Sequence, residues 1–94
     1  MLFLVLLDYQ RPLPDVDRHI EGHRAFLNRH YAAGHFLLSG RKVPRTGGVI
    51  LARANALDEV TRWIAEDPFH QAGVARYDII AWEPTQAAPG MPGF

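Results

Sequence analysis

The chain has 94 residues, 48% hydrophobic and 21% charged, with ten basic against ten acidic side chains and a formal net charge of zero. That length supports one core rather than two, and the balanced charge leaves no basic excess for a phosphate backbone, which argues against a nucleic-acid partner. No cysteine is present, so disulfides, thiolate zinc sites and a cysteine nucleophile are excluded, and a reducing cytoplasm is a fitting compartment.

Leu2-Phe3-Leu4-Val5-Leu6-Leu7 opens the chain without a basic flank or a small-residue cleavage site, and Asp8 ends it. A membrane span needs about 20 apolar residues. The run therefore predicts a buried strand over residues 2–7, with no membrane segment. Arg11-Pro12-Leu13-Pro14 then breaks regular structure, because each proline lacks an N–H and restricts its predecessor. Asp15 or Asp17 is placed to cap a helix running to Ala33, with Gly34 as its stop. Ile20, His23, Leu27 and Tyr31 recur three or four apart on that helix, and Leu27 and Tyr31 mark their stripe as the core side.

Phe36-Leu37-Leu38-Ser39-Gly40 predicts a second strand. Residues 41–48 read as a loop with three cations, Arg41, Lys42 and Arg45, and a flexible Gly47-Gly48 end. Val49–Ala52 predicts a third strand, and Ala56–Glu66 a helix with Asn55 or Asp58 near its start and Leu57, Val60 and Ile64 on one stripe. Asp67-Pro68 ends it, and Pro68 suits the first position of another short turn. Val74–Trp82 predicts the last strand. The division expected is a domain over residues 1–83 followed by a loose tail over 84–94, rich in proline and glycine.

The order β-α-β-β-α-β defines a ferredoxin-like α+β fold, an antiparallel sheet with two helices on one face. The first strand is apolar at every position, so both of its faces are expected to be buried. Two helices cover only one. A homodimer covering the other with about 800 Å² per partner is the simplest completion.

Several residues, taken in order, carry a family resemblance: His23, Leu27 and Gly34; Ser39-Gly40-Arg41; Pro44-Arg45-Thr46-Gly47-Gly48-Val49-Ile50; Asp67-Pro68-Phe69; Gly73-Val74-Ala75; and Tyr77. With this spacing the chain resembles the YCII-related family from the first strand to Trp82. The resemblance implies a dimeric α+β barrel and a His–Asp active site in a cleft, mapping onto His23 and Asp67. Many members have Gly-Pro after the second strand; here Gly40-Arg41 adds a cation at the expected rim.

The residues themselves support that pair. Histidine moves protons near neutral pH. A carboxylate on one ring nitrogen fixes the tautomer and leaves the other for substrate. Asp67 can equally cap the turn at Pro68, and His23 can be a satisfied core histidine. Arg41 and Arg45 offer planar forks for an anion, and Gly48 permits close backbone approach; the same segment can instead be a solvated basic hairpin loop. Ser39 lacks any nucleophile-elbow context and reads as structural, though beside the same rim. Phe69 is expected to anchor the turn that aims Asp67.

His19 and His23 stand at i, i+4 with His30 further along, but no carboxylate or cysteine completes an obvious ligand set, so no metal is expected and surface histidines are the commoner case. No phosphate loop or nucleotide fingerprint occurs, so no cofactor is expected. Two functions remain. One is a small enzyme using His23 and Asp67 for lyase, isomerase or hydrolase chemistry on a small, anionic metabolite. The other is a dimeric module that binds a small ligand without chemistry.

Overall fold

The structure, a computed structural model, describes residues 1–92. Four strands, β1 (Leu2–Tyr9), β2 (Phe36–Arg41), β3 (Gly47–Arg53) and β4 (Ala75–Trp82), form one antiparallel sheet in the order β2-β3-β1-β4. Helices α1 (Leu13–Asp17), α2 (Ile20–Ala32), α3 (Leu57–Ile64) and α4 (Pro68–Gln71) complete the chain order. The fold is ferredoxin-like.

Period-two alternation divides β1 between two environments. Phe3, Val5 and Leu7 face the helices and are fully buried, where Phe26, Val60, Ile64 and Phe69 meet them. Leu4 and Leu6 point to the other face and are only half-buried. The pairing register aligns Leu38, Leu51, Leu4 and Ile80 as one apolar row across all four strands. Leu38 is 61% exposed and Ile80 47%. One end of this face is polar instead: Asp8 receives Lys42 and Arg76, which hold its carboxyl below the usual carboxylate range, Lys42 foremost.

Three predicted elements are drawn differently. The long first helix is two helices, separated at Arg18 and His19, where His19 leaves helical geometry (φ −109°, ψ 6°). Pro12 and Pro14 start α1 rather than preventing it, because first-turn N–H groups have no helical acceptor to lose. Neither Asp15 nor Asp17 caps a helix: Asp15 pairs with Arg18 and Asp17 with Arg45. Gly47 and Gly48 are strand residues, opposite Asp8 and Leu7. A Cβ at Gly47 would lie 1.7 Å from the Leu7 carbonyl oxygen, so the side-chain-free position is what lets β3 pair there.

The buried line of α2 also lies one residue over from the predicted stripe. Phe26 and His30 enter the core, whereas Ile20, Leu27 and Tyr31 form its half-buried shoulder. In α3, Val60 and Ile64 are buried as expected but Leu57 is exposed. Past Trp82, residues 83–92 carry no helix or strand, and the last two tail residues lie outside the described ones. No helix among the described residues is long and apolar enough to cross a membrane.

Candidate functional site

The centre of the site is Asp67, at the junction of α3 and α4 and fully buried. Its Oδ1 accepts the Phe69 backbone N–H at 3.0 Å, so it is the N-cap of α4. Both its oxygens also face His23 Nδ1, at 2.9 and 3.0 Å, and Oδ2 accepts the Tyr77 hydroxyl. Capping and contact with the histidine therefore coexist on one side chain. An ionised carboxylate only accepts, so Nδ1 carries the proton and Nε2 of the neutral ring holds the lone pair. Among the described residues Nε2 has no protein partner, and no buried side-chain nitrogen or oxygen is left unsatisfied. Nε2 therefore opens on the cavity that His23 lines.

Ring stacking and close helix packing also hold the imidazole in place. It stacks on Phe69 with centroids 4.0 Å apart and planes within 7°. Position 22 is glycine, and a Cβ there would lie 2.9 Å from Pro68 Cγ, so this residue lets α2 approach α4 closely enough for the pair to meet. His23 remains 12% exposed while its partner is sealed. One end of the pair is fixed and the other is open.

Tyr77 is among the residues that carry the family resemblance. On β4 it shares the helix-facing side with Ile79, opposite Leu7, and reaches Asp67 from the sheet. Burial, then the neighbouring carboxylate, raises its phenol far above the ordinary value of 10.0. This contribution to stability is complete below that unfolded-state value and declines as pH rises beyond it, because the unfolded chain alone releases the proton. In an alkaline titration followed by phenolate absorbance, one of the three tyrosines is expected to appear only with unfolding. Tyr77→Phe should remove that component. Its survival in Tyr77→Phe would contradict the assignment.

The cavity has a volume of about 180 Å³ between α2 and the inner face of the sheet. Arg41, Arg45, Gly48 and Ser39 all border it, as does Arg24, which the sequence reading passed over. Ser39 Oγ is bonded to the Tyr31 hydroxyl. Arg45 is held by Asp17 Oδ1 at 2.6 Å, and its guanidinium lies 5.9 Å from the centre of the Tyr9 ring. The Asp17 hydrogen bond raises the Arg45 pKa further. Phe69 meets Tyr9 edge-on at 6.0 Å, so one wall is aromatic from Arg45 to His23.

His30 is not a surface histidine. It is 5% exposed, donates from Nε2 to Glu66 at 2.9 Å and shares a 2.9 Å hydrogen bond with His35, whose ring stacks on Trp63. His70 is exposed and stands outside the cavity, 5.5 Å from the Tyr77 ring. Among the described residues no three of His, Cys, Asp and Glu gather as metal ligands.

The fold is ferredoxin-like, and a buried carboxylate holds the His23 imidazole beside a small cavity. The chain belongs to the YCII-related family, whose domain model matches residues 1–83. It is similar to the solved structure of 5-chloro-2-hydroxyhydroquinone dehydrochlorinase (TftG) from Burkholderia phenoliruptrix AC1100, in complex with 2,5-dihydroxybenzoquinone. The TM-score is 0.76 and the identity 25%, over 88% of this chain and 94% of that one. No curated protein sequence matches the chain.

Proposed function

We propose that this protein is a small acid–base enzyme of the lyase type, in which His23 Nε2 transfers the proton and Asp67 orients the ring. The carrying observation is the asymmetry of His23: Nδ1–H faces both oxygens of a sealed carboxylate, and Nε2 opens on a cavity. In that state the imidazole is a base. When it takes a proton, the Asp67 charge stabilises the imidazolium. In an elimination, the substrate's proton goes to Nε2, the released electron pair becomes a new double bond, and the leaving group departs with its bonding pair. The dehydrochlorinase neighbour supports elimination over isomerisation or hydrolysis.

The substrate is a small anionic molecule, bordered by Ser39, Gly48 and Arg41. Acidic ring compounds of the hydroxyquinone kind suit the aromatic wall. The protein acts as a homodimer in the cytoplasm, its outer sheet face covered by a second copy. The exposed apolar row supports the dimer, and the absence of cysteine fits the compartment.

The test is His23→Gln, assayed on 5-chloro-2-hydroxyhydroquinone by chloride release and on related halogenated hydroquinones. Turnover by the wild type is expected, with kcat about 10²–10⁴-fold lower in the variant and an unchanged circular dichroism spectrum. A substrate still processed by His23→Gln at nearly the wild-type rate would sink the proposal. Binding without turnover by the wild type across the panel would favour the non-catalytic ligand-binding module.

A further inference from the structure

Three arginines border the cavity, and no carboxylate does. They are not equivalent. Arg45 is committed: Asp17 compensates its charge at 2.6 Å, and the Tyr9 ring backs its guanidinium. A carboxylate at contact distance cancels most of a cation's field beyond the pair. Recruiting Arg45 to a ligand would also mean breaking that pair or sharing it. Among the described residues neither Arg24 nor Arg41 has an ion-pair or hydrogen-bond partner. Arg24 follows His23 on α2, and Arg41 ends β2. One therefore comes from the helical wall and the other from the sheet wall.

We infer that Arg24 and Arg41 are the anion-binding, specificity-determining residues of the cavity, and that Asp17 withholds Arg45 from the ligand. The inference rests on the proton-transfer reading above and narrows its substrate. Two uncompensated guanidiniums beside an aromatic-walled cavity concentrate positive potential at its mouth. Each offers paired N–H groups to a carboxylate, phenolate or enolate. A space of about 180 Å³ is smaller than the roughly 300–1,000 Å³ that drug-sized ligands occupy. The ligand class is thus a single planar ring, or a chain of similar size, bearing one or two acidic oxygens. A nucleotide is too large. Arg45 closes the rim and keeps Tyr9 in the wall.

One experiment separates the two kinds of arginine by the size of the loss, and removal of Asp17 by its sign. The probes are 2,5-dihydroxybenzoquinone and benzoate, with benzyl alcohol as the neutral control. Affinity is measured by calorimetry, and nitrogen shifts of the His23 ring report whether the probe sits beside it. Arg24→Gln and Arg41→Gln are each expected to raise Kd for the anions by about tenfold, the loss of one charge-assisted contact. Arg45→Gln should change Kd by less than about threefold. Asp17→Asn should tighten binding, because it releases the Arg45 charge toward the cavity.

Loss of affinity in Asp17→Asn, or a larger loss in Arg45→Gln than in the other two variants, would overturn the division of roles. Probes that shift His23 equally in all arginine variants would remove the anion specificity while leaving proton transfer at His23 standing. Anionic probes that bind without shifting His23 would instead count against the site reading on which the inference rests.

Discussion

Replacing Asp67 by alanine is expected to destabilise the protein by about 3–5 kcal/mol, the range for removing one partner of a buried charged pair. The carboxylate serves three donors at once: the Phe69 backbone N–H, His23 Nδ1–H and the Tyr77 hydroxyl. Alanine leaves all three facing a cavity at a point with no exposure to solvent. An unsatisfied buried donor costs about 1–3 kcal/mol, although relaxation and entering water recover part of the sum. Total stability in a domain of this kind is about 5–15 kcal/mol. The alanine variant should therefore unfold at a much lower urea midpoint with a similar slope.

Asp67→Asn separates structure from chemistry. Its carbonyl can still accept from Phe69 and His23, and its amide can donate to the Tyr77 oxygen, so the loss of stability should be only about 1–2 kcal/mol. The negative charge is gone, however, and with it the stabilisation of a protonated His23. Turnover should then fall about 10²–10⁴-fold in a folded protein. An asparagine variant that is as active as the wild type would show that Asp67 only caps α4. An alanine variant as stable as the wild type would remove its structural role.

A charge placed in the outer sheet face, as in Leu4→Glu, is expected to dissociate the proposed homodimer. Leu4 lies in the middle of the apolar row, between Leu51 on β3 and Ile80 on β4. Burying an unpaired carboxylate against a second copy costs about 3–5 kcal/mol, a rise in the dimer Kd of about 10²–10³-fold or more. In the monomer the same carboxylate stays half-exposed and is tolerated. Sedimentation at micromolar concentration should show a dimer for the wild type and a monomer for Leu4→Glu, with little change in helical content. A wild-type chain that sediments as a clean monomer would leave this face without the proposed cover.

The unequal legibility of the site follows from how each contact is encoded. His23 and Asp67 stood out because an imidazole near a core stripe and a carboxylate before Pro-Phe are local patterns, and the family spacing joined them. Arg41, Arg45, Ser39 and Gly48 were legible as neighbours in one hairpin, and all four border the cavity. Tyr77 bonds Asp67 through a sheet position that gains meaning only once β1 and β4 are paired. Gly22 looks like an unfavourable helix residue until Pro68 is packed against it. The Asp17–Arg45 pair spans 28 positions, and no periodicity links residues so far apart.

The sequence by itself determined the element order, the alternation that makes a two-faced sheet, and the residue types able to move a proton. Those depend on local sterics, on hydrophobic period and on intrinsic side-chain chemistry, which act over a few residues. Tertiary structure decided which buried line of α2 enters the core, which arginine is neutralised, and which nitrogen of His23 is left open. These are matters of distance and desolvation between segments far apart in the chain. They take values only when the sheet and its helices close around them.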